Sequence, residues 1–116
     1  MTTATAAVSW AELEAAAPDI TSAGRRLLYV RGDGEAILAT IRGDGLPRIH
    51  PVNVGLVDGR LYTFAIGSSP KRIDLEFDGR YAIHTHQDPA APTEVALRGH
   101  ARKVDPGPER DRVAAG

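Results

Sequence analysis

The segment Ser68-Ser69-Pro70-Lys71-Arg72 brings hydroxyl and cationic side chains together at the start of a predicted helix. Ser69 suits the N-cap, and Pro70 suits the first helical position, where a missing amide hydrogen is harmless. The helix dipole disfavours Lys71 and Arg72 in the first turn unless an anion is bound there. The hydroxyls, the free amides and the two cations would then converge on that anion, for which a phosphate is the natural candidate. The alternative is that both cations are ordinary solvated charges.

The four histidines are the next candidates for chemistry. His84 and His86 lie two residues apart on a predicted strand, so their rings share a face and could hold one metal ion. No third ligand stands at a complementary local spacing, so the favoured interpretation is a solvated or interface face and no metal site is predicted. His50 and His100 are isolated, and each is interpreted either as a hydrogen-bonding core residue or as a haem ligand.

A proline-rich strand supplies a second group of polar side chains. Arg48 and His50 alternate onto one face of this strand with Val52, and Pro51 kinks it. The strand is therefore a candidate lip of a ligand site, although a solvent-facing edge explains the same pattern. The chain has no cysteine, so it has no thiolate nucleophile, and redox chemistry would need a bound cofactor.

The composition indicates one globular domain. The 116 residues carry 14 basic and 15 acidic side chains, a net charge of −1, so broad binding to nucleic acid or to an anionic membrane is not expected. No apolar run approaches the roughly 20 residues of a membrane helix, and the N-terminus lacks the features of a signal peptide, which leaves the cytoplasm as the default location. We expect a flexible tail over residues 1–8, a domain over 9–105 and the start of a C-terminal helix over 106–116.

Two helices are predicted before the first strand. Ser9 and Glu12 form a capping box that opens a helix ending before Pro18. A second helix, roughly Asp19 to Arg31, has an apolar stripe formed by Ile20, Ala23, Leu27 and Val30. Three basic residues lie off that stripe and are interpreted as a solvated face: Arg25, Arg26 and Arg31. The helix that starts at Ser69 is expected to stop at a left-handed Gly79.

Five strands are predicted, over residues 36–42, 47–57, 60–66, 80–87 and 93–104. The first is short and apolar and should be buried on both faces, whereas the prolines of the second require an edge, a bulge or a bend. Asp58-Gly59 predicts a tight hairpin, and Gly99 predicts a bulge or a barrel bend. Closely connected antiparallel strands of this number favour a mainly-β fold, a small barrel with peripheral helices.

The segments 36–52, 58–64, 69–75, 78–82 and 97–101 closely resemble the pyridoxamine 5′-phosphate oxidase-like, FMN-binding split-barrel family. The strand with its prolines, the Asp58-Gly59 hairpin and the lysine-bearing helix start occur in the order found in that family. Leu97-Arg98-Gly99-His100-Ala101 resembles the family's penultimate barrel strand. The likeness covers about residues 20 to 105 and consists of several short motifs in register.

This resemblance implies a split β-barrel homodimer with FMN at the subunit interface and hydride transfer to or from a small-molecule substrate. By position, the resemblance places Ser68, Ser69, Lys71 and Arg72 around the FMN phosphate. It places a second group near the phosphate or the ring, namely Arg48, His50, Pro51 and Val52. Thr40 and Thr63 are weaker candidates for contact with the cofactor. No side chain is assigned as a catalytic acid or base.

The sequence also departs from the family. A pyridoxamine 5′-phosphate oxidase carries a longer carboxyl-terminal part with substrate-holding arginine and tryptophan, and nothing comparable stands here before Gly116, so oxidation of pyridoxamine phosphate is not expected. Relatives of this compact type also include proteins that use a deazaflavin instead of FMN and proteins that handle haem. The alternatives to an oxidoreductase are therefore a non-catalytic FMN, deazaflavin or haem binding protein and a structural barrel that only dimerises.

Overall fold

The structure is a computed structural model that describes residues 8–32, 34–64, 68–90 and 93–115. Its elements, in chain order, are α1 (Trp10–Ala16), α2 (Pro18–Leu28), β1 (Glu35–Ile41), β2 (Pro47–Val57), β3 (Arg60–Thr63), α3 (Pro70–Phe77), β4 (Arg80–Thr85), β5 (Ala96–His100) and α4 (Pro108–Ala115). The strands form an antiparallel sheet in the order β3-β2-β1-β4-β5, which curls into a half-barrel with the helices at its periphery. The predicted mainly-β antiparallel class, with a helix between the third and fourth strands, is confirmed at this level.

The capping box at the start of α1 is present as predicted. The Ser9 side chain accepts a hydrogen bond from the Glu12 amide at 3.2 Å, and the Glu12 carboxylate accepts one from the Ser9 amide at 3.2 Å. Two backbone donors that the helix leaves unpaired are thereby satisfied. Pro18 then occupies the first position of α2, where its missing amide hydrogen removes no helical hydrogen bond.

The apolar stripe predicted for α2 is displaced around the helix, by about one residue, from the face that is buried. Leu27 is buried as predicted, but Ile20 is 61% exposed, and the other buried residues of this helix are Thr21, Gly24 and Leu28. The reason is the indole of Trp10, because a Cβ atom at Gly24 would lie only 3.2 Å from its ring. A small residue must face Trp10, and that contact orients the helix more strongly than its amphipathic pattern does.

The core lies under one face of the sheet. The burial pattern of β1 alternates strictly, so this strand is fully buried on one face and half-buried on the other, and the prediction of burial on both faces is wrong. The core cluster joins α2 to three strands and consists of Leu28, Ala36, Leu38, Val52, Val54 and Ile83. Alternation of this kind is expected of an antiparallel sheet with only one covered face.

Strand β2 has the edge that its prolines require. It pairs with β1 along Pro47–Asn53 and with β3 along Val54–Val57. Among the described residues the β3 side of Pro47–Asn53 therefore has no strand partner, and the prolines occur in that half of the strand. Asp58 and Gly59 have φ angles of +51° and +72°, which confirms the predicted two-residue hairpin.

The structural roles predicted for Gly79 and Gly99 are both wrong. Helix α3 ends at an Asp78 C-cap with extended backbone, and Gly79 is not among the glycines with positive φ. Gly79 instead allows close approach, because a Cβ atom there would lie 2.9 Å from the Ala101 carbonyl oxygen. Gly99 pairs in continuous register with Tyr81, without a bulge, and its missing side chain leaves room for the tyrosine ring.

The predicted ends of several elements are only approximate. Strands β3, β4 and β5 end at Thr63, Thr85 and His100, before the predicted ends, and β5 begins at Ala96. Helix α4 starts at Pro108, within the predicted C-terminal segment. The predicted N-terminal tail falls largely on residues 1–7, and the predicted end of the third strand falls on residues 65–66; both lie outside the described residues. Ends vary in this way because terminal residues make few contacts that hold them to one conformation.

Candidate functional site

A cleft of about 480 Å³ opens where β1, β2 and the start of α3 approach one another. Its polar and charged lining residues are Arg31, Glu35, Asn53, Lys71 and His86. Its apolar lining residues are Ala36, Pro51, Val52 and Phe64. A concave site with an apolar wall and a few convergent polar groups is the usual form of a small-molecule site.

Lys71 is the cation of this cleft whose charge is least compensated. It is half-buried, and within the described part of the chain it forms no hydrogen bond and no ion pair. Arg31, by contrast, lies 3.9 Å from Glu35, whose carboxylate is also 3.8 Å from His86. The end of the cleft at Lys71 therefore has a surplus of positive charge, and an anion bound there would compensate it.

The start of α3 offers a second unsatisfied polar group. Ser69 occupies the predicted N-cap, but its side chain makes no capping hydrogen bond. Its Oγ atom is buried and has no partner among the described residues, although buried hydroxyl groups are normally hydrogen-bonded. Ser68 is exposed in the preceding turn, and the Nε atom of Arg72 lies 3.2 Å from Glu76 one helical turn on.

Beneath the start of α3, the buried carboxylate of Asp74 is linked by hydrogen bonds, directly or through Thr40, to three of the predicted site residues. Asp74 is only 3% exposed, and its Oδ2 atom accepts hydrogen bonds from Thr40 Oγ1 and Arg48 Nε, each at 2.8 Å. The Thr40 hydroxyl also lies 3.1 Å from Nε2 of His50. Thr40 comes from β1 and Arg48 and His50 from β2, so Asp74 ties the helix to both strands.

The environment of this cluster changes two pKa values. Burial alone would raise the pKa of Asp74, but hydrogen bonds from Thr40 and Arg48 and the nearby positive charge outweigh it and hold the pKa below its usual value. Burial lowers the pKa of His50, and the charges of Lys71 and Arg48 lower it further, while Asp74 acts in the opposite direction. Asp74 is therefore ionised and His50 neutral at pH 7.

The remaining predicted residues divide between two places. Pro51 and Val52 line the cleft together with Lys71, with Val52 buried on the core side and Pro51 exposed. Thr63 lies farther along the sheet, where its hydroxyl donates to the Asn53 carbonyl oxygen at 2.9 Å. The structure thus brings Lys71, Pro51 and Val52 to one cleft, and joins Thr40, Arg48 and His50 beneath the helix that carries Lys71.

Sequence reasoning missed Asp74 altogether. The amphipathic pattern of α3 would bury Ile73 and Phe77, yet these side chains are 59% and 70% exposed while Asp74 is buried. The sequence feature that could have indicated Asp74 is a carboxylate on a short helix next to polar strand positions. The three arginines predicted to form a solvated face are exposed, as predicted; Arg31 also lies at the cleft, whereas Arg25 and Arg26 pair at 2.6 Å with Glu14 and Asp88.

His84 lies near the end of β4 and His86 follows that strand, and their polar contacts are with residues outside the Asp74 cluster. Nδ1 of His84 lies 2.7 Å from the Thr85 carbonyl oxygen, and its Nε2 lies 3.7 Å from Glu94. His86 lines the cleft opposite Glu35. Across the described ranges, no group of three or more histidine or carboxylate side chains is arranged to hold a metal ion.

A smaller cleft of about 250 Å³ lies between the first two helices and is lined in part by Glu14, Thr21 and Arg25. Its two charged groups pair with each other at 2.6 Å, so neither charge requires a ligand for compensation. The larger cleft at Lys71 is the better candidate for a functional site.

Comparison with known proteins finds structures of similar fold and gives no information on function. No protein-family model and no curated protein matches the chain. The structure is similar to that of the protein Atu2129, of unknown function, from Agrobacterium tumefaciens str. C58, with 24% identity and a TM-score of 0.63 over 81% of this chain and 41% of that one. It is also similar to a conserved hypothetical protein, Rv2991, from Mycobacterium tuberculosis, with 23% identity and a TM-score of 0.58 over 74% of this chain and 54% of that one.

This chain therefore spans about two fifths and about half the length of these two proteins. Similarity at this level of identity establishes a shared fold. Within the described residues, each helix is too short or too polar to cross a membrane.

Proposed function

We propose that this protein is an FMN-dependent oxidoreductase of the split-barrel type, with the cofactor phosphate held at the start of α3. The observation that carries the proposal is the position of Lys71, a half-buried cation without a carboxylate partner among the described residues, on the wall of the cleft of about 480 Å³. The resemblance of the sequence to the FMN-binding split-barrel family supports the same function and the same position of the phosphate. A deazaflavin coenzyme, which also carries a phosphate, is the alternative cofactor, and haem is a further one.

Lys71 on the cleft wall and the residues around the start of α3 fit a phosphate group, with Ser69 and Arg48 lying outside the cleft lining. Lys71 would supply the charge, and the buried Oγ of Ser69, which lacks a partner in the described part of the chain, would gain a hydrogen bond to a phosphate oxygen. The first-turn amides of α3 would add donors, since a helix N-terminus favours an anion. Arg48, held by Asp74 through its Nε atom, would add positive charge from the strand below.

The rest of the cleft fits the less polar part of a flavin. Ala36, Val52 and Pro51 present an apolar wall, and Phe64, which is 62% exposed, adds an aromatic side chain to the lining. Such a wall excludes water from a bound ring. A bound flavin would supply hydride transfer, while this chain would bind it, orient it and limit the access of water.

A second copy of the chain is the proposed partner. The face of the sheet opposite the core carries Ile49, which is 73% exposed, between the exposed prolines Pro47 and Pro51 of the same strand. Ile37 and Ala39 lie beside them on the neighbouring strand. An apolar sheet face of this kind is typical of a protein interface. Because Pro51 belongs to both this face and the cleft, a copy packed there would also form part of the cleft wall.

The function is tested by the absorption spectrum of the purified protein and by titration with FMN. An oxidoreductase should bind FMN, and its bound flavin should bleach with a reductant and recover with an acceptor. Bound flavin that never recovers its colour would instead indicate a carrier or sensor. A protein without any spectral change on addition of FMN, deazaflavin or haem would contradict the proposal.

Replacing Lys71 with glutamate tests the anchor itself. We expect Lys71→Glu to weaken FMN binding by about 1 kcal/mol or more, about fivefold in Kd, because a charge-assisted contact to the phosphate is lost and a repulsion is added. Lys103→Glu is the matched control, since the other lysine of the chain is exposed on a segment that does not line the cleft. Equal affinities of the two variants would remove Lys71 from the site.

Sedimentation tests the proposed dimer. We expect a dimer at micromolar concentration and a shift toward monomer in Ile49→Lys, because a charge would be placed in the centre of the apolar face. Ile20→Lys, on the exposed side of α2, is the matched control. A monomeric wild-type protein would contradict the proposed partner.

A further inference from the structure

The hydrogen bonds around Asp74 determine which nitrogen of His50 carries hydrogen. Thr40 Oγ1 lies 2.8 Å from Oδ2 of Asp74 and 3.1 Å from Nε2 of His50. A hydroxyl group has one hydrogen to donate, and an ionised carboxylate can only accept, so the hydrogen of Thr40 is directed to Asp74. The hydroxyl oxygen must then accept from His50, which places the ring hydrogen on Nε2 and leaves a lone pair on Nδ1.

The charged groups that face His50 keep this ring neutral. Arg48 approaches from its own strand, and Lys71 and Asp74 approach from α3, while β1 contributes only the uncharged Thr40. Two cations and one carboxylate therefore act on a partly buried imidazole, and burial itself disfavours the imidazolium form. His50 is thus a neutral base next to a region of surplus positive charge.

We infer that His50 is the proton acceptor of the anion site: Asp74, acting through Thr40, holds it as the Nε2–H tautomer, and Nδ1 takes up a proton from solvent when an anion binds beside Lys71. This inference rests on the anion site proposed above. The bound anion cancels the positive potential of Lys71 and Arg48 at the ring, and protonation then gives the site a third cation. Asp74 and Thr40 are positioning residues in this scheme, because they act on the anion only through His50.

The first test is the ¹⁵N NMR spectrum of the imidazole rings in the protein without ligand. At pH 8 we expect His50 to show an unprotonated Nδ1 and a protonated Nε2. Thr40→Val preserves the shape of the side chain but removes the hydroxyl, so it should give a mixture of the two tautomers. Asp74→Asn should keep the Nε2–H form, since an amide oxygen can accept from Thr40 and Arg48 in the same place. A protonated Nδ1 in the wild-type protein at pH 8 overturns the inference whether or not either variant folds.

The second test measures sulfate binding at pH 8 and pH 6. Sulfate resembles phosphate but does not change its charge in this range, so any pH dependence belongs to the protein. We expect binding to be up to about fivefold tighter at pH 6 if the anion raises the His50 pKa by about one unit, since the tenfold limit of such a shift is reached only well below both pKa values. His50→Gln should abolish this dependence, whereas His100→Gln, on the exposed end of β5, should retain it.

The outcomes separate this inference from the proposed function. Sulfate affinity that is equal at both pH values overturns the role of His50 but leaves the anion site intact. A pH dependence that disappears in His86→Gln and persists in His50→Gln also overturns it, because His86 lines the same cleft. Failure of sulfate to bind at either pH overturns both the inference and the anion site on which it rests.

Discussion

Two aspartates four residues apart, Asp74 within α3 and Asp78 at its end, each hold an arginine at nearly the same distance. Asp74 pairs with Arg48 at 2.8 Å, and Asp78 pairs with Arg80 at 2.7 Å. The first pair joins the helix to a strand 26 residues away and is buried on the side of the carboxylate. The second joins residues two apart in sequence, with most of Arg80 in solvent. Pairs of nearly equal length therefore have different roles, since only the first pair holds together elements that are distant in sequence.

The two carboxylates also respond differently to their surroundings. The pKa of Asp78 falls to about 2, because hydrogen bonds from Arg80 act with little opposition from burial. Burial opposes the stabilisation that Asp74 gains from the hydrogen bonds of Thr40 and Arg48, and its pKa is lowered in spite of that opposition. The strongly lowered pKa therefore belongs to Asp78, in the exposed local pair. At Asp74, which joins the helix to two strands, burial opposes the lowering of the pKa.

The largest expected effect is the difference in stability between Asp74→Ala and Asp78→Ala. The first variant leaves Arg48 Nε and the buried Thr40 hydroxyl without their acceptor, which should lower the free energy of unfolding by about 2–3 kcal/mol, given that Arg48 remains partly solvated. The second should cost much less, because water can replace the lost partner of Arg80. Urea unfolding at pH 7 measures both. Equal losses would mean that the buried pair contributes no more than the exposed one.

A smaller effect is expected in acid. Because the pKa values of Asp74 and Asp78 are lower in the folded than in the unfolded chain, their stabilisation is complete above pH 3.8 and is lost as the pH falls below it, for Asp78 down to about 2. Arg80→Gln should return the Asp78 titration toward its ordinary value without affecting that of Asp74, as followed by NMR of the carboxyl carbons. An unchanged Asp78 titration in this variant would show that Arg80 is not the cause of its low pKa.

Local features of the fold were predictable because their causes lie within a few residues. The Ser9–Glu12 capping box and the Asp58-Gly59 turn follow from side chains and backbone angles that are complete within four residues. The bounds of β2, Pro47–Val57, follow from its flanking turns in the same way. The orientation of α2 was not predictable, because it depends on which residue can face the Trp10 ring.

The candidate site, like the fold, was predictable only where the cause of a feature is local. Lys71 was identified from the sequence because a cation in the first turn of a helix is a local anomaly, and the structure places it on the cleft wall with Pro51 and Val52. The link from Asp74 to Thr40, Arg48 and His50 was not identified. It requires three segments distant in sequence to meet, and no local pattern encodes their relative position.

The sequence by itself determined the strand count, the hairpin, the capping box and the polar start of α3, because each depends on interactions between near neighbours in the chain. Only the tertiary structure decided that Asp74 is buried in place of Ile73, and that its charge is compensated by side chains from two strands. The physical reason is that burying a carboxylate is favourable only when donors from elsewhere in the fold surround it. Those donors become neighbours only once the sheet has formed.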